Sequence, residues 1–279
     1  MRTVYERISE LLCEKQIELF APIGLSDCKI IKKYLLEKAD ISPESGTAVM
    51  IAVPYTVKDE LGGNISEYAK SRDYHLFFAS LFGEILPVLR QEFPEYSFEG
   101  FTDHSPIDEI NASAIAGLGI IGTNGLLITK KYSSFIFIGE IVTSAEIKYE
   151  KHEVELCENC GLCLSACPIG CDKRLCLSAL TQKKGALSAE EAEIIVAHKS
   201  AWGCDICQKV CPHTKKAAES GTLYSSIPFF KQNRIPYLTY DLINEMSEDE
   251  FKERAYSWRG KPTLLRNLSL LEGIDASDK

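Results

Sequence analysis

Cys157-Glu158-Asn159-Cys160-Gly161-Leu162-Cys163-Leu164-Ser165-Ala166-Cys167-Pro168 sets three thiols at successive two-residue gaps, then a fourth after three residues, followed by proline. This is the ferredoxin-type run that binds a [4Fe–4S] cube, because a tight turn and one helical turn point several sulfurs into one pocket. In such runs the fourth cysteine ligates a second cluster, so the spacing predicts another cysteine group further on. Cys204-Asp205-Ile206-Cys207-Gln208-Lys209-Val210-Cys211-Pro212 is that group. Two cubes need eight ligands, and the two groups supply seven. The eighth must be Cys171, Cys176, Cys13 or Cys28; Cys176, opening a helical-looking Leu-Cys-Leu-Ser-Ala-Leu stretch, is preferred over Cys171. In the crossed pattern one cube takes Cys157, Cys160, Cys163 and Cys211, and the other Cys167, Cys176, Cys204 and Cys207. A pair of structural zinc sites is the alternative, but Cys-Pro after the three-residue gap, found twice, is a ferredoxin habit.

Two clusters imply single electrons passed toward something, and a plain ferredoxin needs far less chain than this. The residues ahead of Cys157 must therefore hold an electron acceptor or a substrate site. At 279 residues, 45% hydrophobic and 25% charged, the chain has an ordinary globular composition with room for one large or two modest cores. Its eleven cysteines would suggest disulfides in a small secreted protein. Arg2, Glu6, Arg7, Glu10, Glu14 and Lys15 nevertheless interrupt any signal-peptide-like apolar run, so a cytoplasmic protein with thiolates held on metal is expected. No window approaches the roughly 18 apolar residues of a membrane span, and no membrane partner is expected. A net charge of −9 argues against a generally sticky nucleic-acid binder. Local basic patches stand at Lys183-Lys184, Lys215-Lys216 and Lys252 to Arg266, the last being the place to look for phosphate contact.

The elements that position these residues follow from periodicity. Residues 1–40 read as amphipathic helices broken at Pro22 and Gly24, the second from Ser26 or Asp27 to Lys38, with Cys13 and Cys28 as lone cysteines of the kind that serve as small buried hydrophobes. Ala48 to Val53 is a continuous apolar run that predicts a fully buried strand. A long helix is expected from Ser66 to Arg90 and a strand around Tyr96 to Thr102. There follow the loop Asp103-His104-Ser105-Pro106 and a helix from about Asp108 to Gly117. Asn124 to Thr129 and Phe135 to Thr143 read as a hairpin. Gly117-x-Gly119-x-x-Gly122 has dinucleotide-fingerprint spacing, yet it follows a helix rather than a strand and opens none, so it is discounted. The polar stretch Ala145 to Glu155 is the best domain boundary. A helical insertion, Ser188 to His198, separates the cysteine groups, and the last sixty residues hold one helix near Ser247 to Tyr256.

An ordered set of motifs adds to this reading. It comprises Arg72-Asp73-Tyr74-His75, Asp103-x-Ser105-Pro106-x-x-Glu109, Ala116-Gly117-Leu118-Gly119-x-x-Gly122-x-Asn124, Gly139-Glu140-Ile141, both cysteine groups and Leu264-Leu265-Arg266-Asn267. The string resembles the epoxyqueuosine reductase family, which is cobalamin-dependent, carries two [4Fe–4S] clusters and is related to reductive dehalogenases. The resemblance implies an α/β (α+β) cobalamin- and substrate-binding domain over 1–152, a double-cluster ferredoxin-like domain over 153–216 and a C-terminal extension over 217–279. It implies reduction of epoxyqueuosine to queuosine in tRNA, with an external electron donor of ferredoxin or flavodoxin type, tRNA as partner and a monomeric protein. Asp103 matches the family's proton donor, for which burial against the corrin and apolar walls would have to raise its pKa. Tyr74 and His75 would line the same cavity, and Ser105, Thr123 and Asn124 would contact the corrin. Thr123 replaces a usual lysine, His104 a small residue, and Lys70-Ser71 a usual glycine. The chain also stops where the family typically continues into a helical-repeat domain. Two other activities fit the cysteines: reduction of a different small substrate, and electron carriage with no substrate of its own.

Overall fold

The computed structural model describes residues 2–58, 62–170 and 176–274. They form a mixed α/β protein whose packing divides it into two compact units, each discontinuous in sequence. One unit holds Met1–Pro54, His75–Cys160 and Lys216–Ile227; the other holds Tyr55–Tyr74, Gly161–Lys215 and Pro228–Lys279. The expected divisions at 152 and 216 run along the sequence, and these units do not.

In the first unit, α1 (Val4–Glu14) starts at a capping box. Thr3 accepts from the Glu6 backbone N–H, Glu6 accepts from that of Thr3, and Val4, Ile8, Leu11 and Leu12 make the buried stripe. Then come β1 (Leu19–Gly24), α2 (Lys33–Lys38), β2 (Thr47–Pro54), α3 (Tyr74–Glu92), β3 (Phe98–Phe101), α4 (Glu109–Ile115), β4 (Ile120–Ile121), β5 (Leu127–Ile128) and β6 (Ile136–Thr143). The main sheet is antiparallel in the order β1-β2-β6-β3. β2 is buried along its whole length, as its unbroken apolar run requires. Ala48, Met50 and Ala52 of β2 pack with Val142, Leu36 and the Ala112–Ile115 face of α4. α3 approaches the sheet at Gly139 of β6, where a Cβ would stand 2.4 Å from the Phe78 ring.

Three sequence expectations are corrected here. Leu19–Gly24 is a strand rather than part of a helical stretch; it is an edge strand, the one place where a sheet accepts Pro22 without losing a ladder bond. The long helix begins at Tyr74 rather than Ser66, because residues 67–69 form a separate single 3₁₀ turn. The Asn124–Thr129 and Phe135–Thr143 segments are not hairpin partners. β5 pairs with β4, and β6 lies between β2 and β3, where its apolar residues find two neighbours instead of one.

The second unit contains α5 (Leu162–Ala166), α6 (Leu177–Thr181), α7 (Ala189–Ala197), α8 (Ile206–Lys209), α9 (Pro212–Glu219), α10 (Pro228–Lys231), α11 (Tyr240–Glu245), α12 (Glu248–Lys252) and α13 (Lys261–Glu272). The single helix expected near Ser247 to Tyr256 is therefore one of several in the tail. Trp202 and Tyr256, both fully buried, centre a core that includes Ile65, Leu238, Ile243, Phe251, Leu264 and Leu268. Asn267 is buried inside it, its Nδ2 donating to the carbonyls of Thr181 (2.7 Å) and Ala201 (2.9 Å). Among the described residues no helix is long and apolar enough to cross a membrane.

Candidate functional site

Asp103 follows β3 and has φ +60°, a conformation uncommon for a residue with a side chain. The His104 N–H donates to the Thr102 carbonyl across it at 2.6 Å, closing a tight γ-turn with positive φ, a strained arrangement that the surroundings must hold. Two bonds do so: Thr102 Oγ1 donates to the Ile138 carbonyl of β6 at 2.7 Å, and the Asp103 N–H donates to Glu109 Oε1 at 3.1 Å. Glu109 is the first residue of α4, whose N-cap Asp108 accepts from the Asn111 N–H.

The Asp103 side chain is 71% exposed, and His75 Nε2, from the first turn of α3, stands 3.8 Å from its Oδ2. The interaction with His75 holds the Asp103 carboxyl below its ordinary range, and the charges of Lys32 and His104 reinforce it. This corrects the expectation of a carboxyl raised by burial: the favourable neighbour outweighs a desolvation that is only partial. His104 is itself held by Tyr34 (2.8 Å to Nε2) and Lys32 (3.2 Å to Nδ1).

The raised carboxyls lie directly behind. Glu140 of β6 is completely buried, and its pKa is driven well up, first by burial and then by the charge of Glu109. Burial also pushes Glu109 up to about 7, with Asp103's charge adding to the effect. Ser105, expected to touch the corrin, points inward instead: it donates to Glu140 Oε1 at 2.5 Å and accepts from the Ile107 N–H at 3.1 Å. Both glutamates stand in the motifs that carry the family resemblance, but the sequence assigns neither a role, although a lone carboxylate inside the apolar strand Ile136–Thr143 is a visible signal.

Asn124 is a turn residue whose Oδ1 accepts from the Leu126 N–H at 3.3 Å. Thr123 meets the first cysteine of the long run. Its N–H donates to Cys157 Sγ at 3.3 Å, its hydroxyl lies 3.2 Å from the same sulfur, and these bonds lower the Cys157 thiol pKa. Tyr74 opens α3 and is half-buried.

Cys157 and Cys160 belong to the first unit, joined there by the parallel bridge of Ile121 to Leu156 and by the Cys157 N–H to the Ile121 carbonyl. The chain turns through Asn159 (φ +51°) and Gly161 (φ +76°); nothing would obstruct a Cβ at Gly161, so backbone conformation is what calls for glycine there. In the second unit α5, carrying Cys163, packs against α8, carrying Cys207. Cys204 lies near enough to Cys176 and Cys207 to feel their charges, and burial raises its thiol to about 11. Asp205, beside it, is held by Ser66 Oγ (2.5 Å) and the Glu67 N–H (2.7 Å), fixing the loop. Cys171 lies outside the described residues. Of the lone cysteines, Cys28 is half-buried and burial raises it to about 12, whereas Cys13 is exposed rather than a buried hydrophobe. Among the described residues no three His, Cys, Asp or Glu side chains converge as a single-ion site requires.

The donor chemistry fits iron–sulfur ligation: in the second unit Cys163 and Cys207 lie on the packed helices α5 and α8, and in the first unit Cys157 carries N–H and O–H donors on its sulfur. For a corrin the fit rests on the exposed Asp103 and His75, since Ser105, Thr123 and Asn124 are engaged within the protein. Three cations of the basic stretch are engaged within the fold. Arg254 donates to the Asn233 carbonyl, Lys261 to that of Met246, and Arg266 to those of Lys183 and Gly185, so these cations hold the fold together.

No family model matches the chain. It is 30% identical to an epoxyqueuosine reductase of Synechocystis sp. over 243 residues, covering 81% of this chain and 83% of that protein. It is 27% identical to one of Lactococcus garvieae over the whole chain and 89% of the relative. Among solved structures, that of an epoxyqueuosine reductase with an epoxyqueuosine-modified tRNA-Tyr stem loop superposes with a TM-score of 0.75 at 23% identity, covering 99% of this chain and 84% of that one.

Proposed function

The chain belongs to the epoxyqueuosine reductase family, and from that premise we propose that it reduces the epoxide of epoxyqueuosine in tRNA to the alkene of queuosine. The observation that carries this reading is Asp103, set in a strained turn with His75 beside its carboxyl and the Glu109–Glu140 pair behind it. Both C–O bonds of the epoxide break, the C=C bond forms, and the oxygen leaves as water. The change consumes two electrons and two protons. The electrons come singly from an external donor of ferredoxin or flavodoxin type.

Cys157, Cys160, Cys163 and Cys211 would hold one [4Fe–4S] cluster and Cys167, Cys176, Cys204 and Cys207 a second, which would supply one-electron transfer. Cobalamin, when bound, would supply strongly reducing chemistry at the epoxide. Asp103 and His75 are the groups that would face it. In this reading residues 1–152 bind corrin and substrate, 153–216 hold the clusters, and 217–279 extend them, in a cytoplasmic monomer. Asp103 delivers a proton to the departing oxygen. It is ionised at neutral pH with His75 beside it, so it must be loaded before each turnover.

The test is anaerobic reconstitution with iron, sulfide and cobalamin, followed by assay on epoxyqueuosine-bearing tRNA. Queuosine should form, and Asp103→Asn should lower kcat on the order of 10²-fold or more. A loaded protein that binds cobalamin yet forms no queuosine would move the reading to another small substrate. Eight irons without any corrin would point to an electron carrier.

A further inference from the structure

We propose that Glu109 and Glu140 share one buried proton behind Asp103, hold the Asp103 turn through its backbone N–H, and return a proton to the Asp103 carboxylate in each turnover. The last part rests on the proton-donor reading of Asp103; the acid pair itself does not. Glu140 is wholly inaccessible, in the strand second from the sheet edge, with Met50 and Phe101 as its cross-strand neighbours. Its Oε1 accepts from Ser105, while its Oε2, equally buried, has no donor among the described residues. The Glu109 carboxyl is hydrogen-bonded to that of Glu140, and its charge adds to the burial that raises Glu140. Two carboxylates facing each other, one inside β6 and one at the start of α4, repel when both are ionised, and among the described residues no lysine or arginine is bonded to either. A proton between them satisfies the orphaned oxygen and removes the repulsion.

The surrounding charges keep that proton inside rather than on Asp103. At the mouth, His75, Lys32 and His104 favour the ionised form of Asp103. Lys32 also acts on Glu109, but more weakly than burial and the charge of Asp103. From the inner side, the Cys28 thiol feels Glu140 and is itself held protonated by burial, Asp27 and Glu140. At neutral pH the spare proton therefore rests on the pair, one backbone hydrogen bond away from the residue that spends it. The transfer balances: the pair gives one proton to Asp103, Asp103 gives it to the oxygen leaving as water, and solvent restores the pair. Glu109 and Glu140 are thus positioning and proton-holding residues acting through Asp103.

The test combines infrared titration with a pH profile on the full reconstituted chain. The wild type should show the carbonyl stretch of a protonated carboxylic acid at pH 7. That band should be lost or displaced in both Glu109→Gln and Glu140→Gln, and in Ser105→Ala it should persist to higher pH, since Ser105 favours the ionised form of Glu140. In the activity assay Glu109→Gln should lower kcat by a factor that grows with pH, reaching on the order of 10²-fold above pH 8, with KM unchanged. A merely structural role would lower activity equally at all pH. No protonated carboxyl at pH 7 in the folded wild type, or a band unchanged in both glutamine variants, overturns the pair. A normal pair with Glu109→Gln matching the wild type at every pH overturns the relay. Should the wild type turn over no epoxyqueuosine, the function fails while the infrared result still decides the acid pair.

Discussion

Thr123 offers Cys157 a backbone N–H at 3.3 Å and a hydroxyl at 3.2 Å, so with Cys157 as the proposed cluster ligand it would tune the electron supply. Donors to cluster sulfurs favour the more negative, reduced cube and so raise its reduction potential. Thr123→Val keeps the shape and removes the hydroxyl. Redox titration of the variant should show one cube shifted to lower potential and the other unchanged; no shift in either would separate Thr123 from the cluster. The cysteine groups and the Asp103 loop stand out in the sequence because spacing and motif order mark them, and the roles given to them are proposals. The protonation of Asp103 was not legible there, because His75 reaches it from α3 and the acidity behind it comes from β6, contacts that no local pattern encodes. The backbone of the Asp103 turn explains the rest: with φ +60° its amide is presented to Glu109, so α4 holds the turn while His75 of α3 sets the charge of the carboxyl.

The packing of α3 on the sheet depends on a missing side chain. A Cβ at Gly139 would stand 2.4 Å from the Phe78 ring, and one at Gly100 equally close to Phe82, so two aromatic rings of α3 rest on two glycines of neighbouring strands. Gly139→Ala should therefore destabilise by about 1–3 kcal/mol, the usual cost of overpacking. A Cβ at Gly83, within α3 itself, would meet nothing within 4 Å, so Gly83→Ala should be neutral or stabilise by about 0.5–1 kcal/mol through helix propensity. Urea unfolding of both variants checks the contrast, and equal effects would show that α3 does not sit on Gly139 as described. β2 was readable from its unbroken apolar run, since burial on both faces leaves no other pattern. β1 was not, because Pro22 and Gly24 read as helix breakers unless the strand is known to be at an edge. The pairing of β5 with β4 escaped for a related reason: two-residue strands carry no alternation to read.

Interleaved connectivity is what local patterns could not reveal about the chain as a whole. A boundary near residue 150 and a cluster region ending at Lys216 follow from composition and cysteine spacing, but each compact unit takes segments from distant parts of the sequence. The first unit includes Lys216–Ile227, where Leu223 and Ile227 are buried and Thr222 Oγ1 donates to the Lys131 carbonyl at 2.7 Å. In the second, the tail supplies Leu238, Ile243, Phe251, Tyr256, Leu264 and Leu268 to the core around Trp202. Buried side chains of this size contribute roughly 1.5–3 kcal/mol each. Six of them match or exceed the roughly 5–15 kcal/mol that separates a folded domain from its unfolded chain. A chain ended after Lys216 would keep every cysteine, Asp103 and the Glu109–Glu140 pair, yet lose part of both cores. It should therefore fail to give a cooperative thermal transition, and should lose protection of the Trp202 indole even when reconstituted with iron and sulfide. A truncated chain that melts cooperatively and shields Trp202 as the full chain does would mean that the tail only covers a core already complete without it.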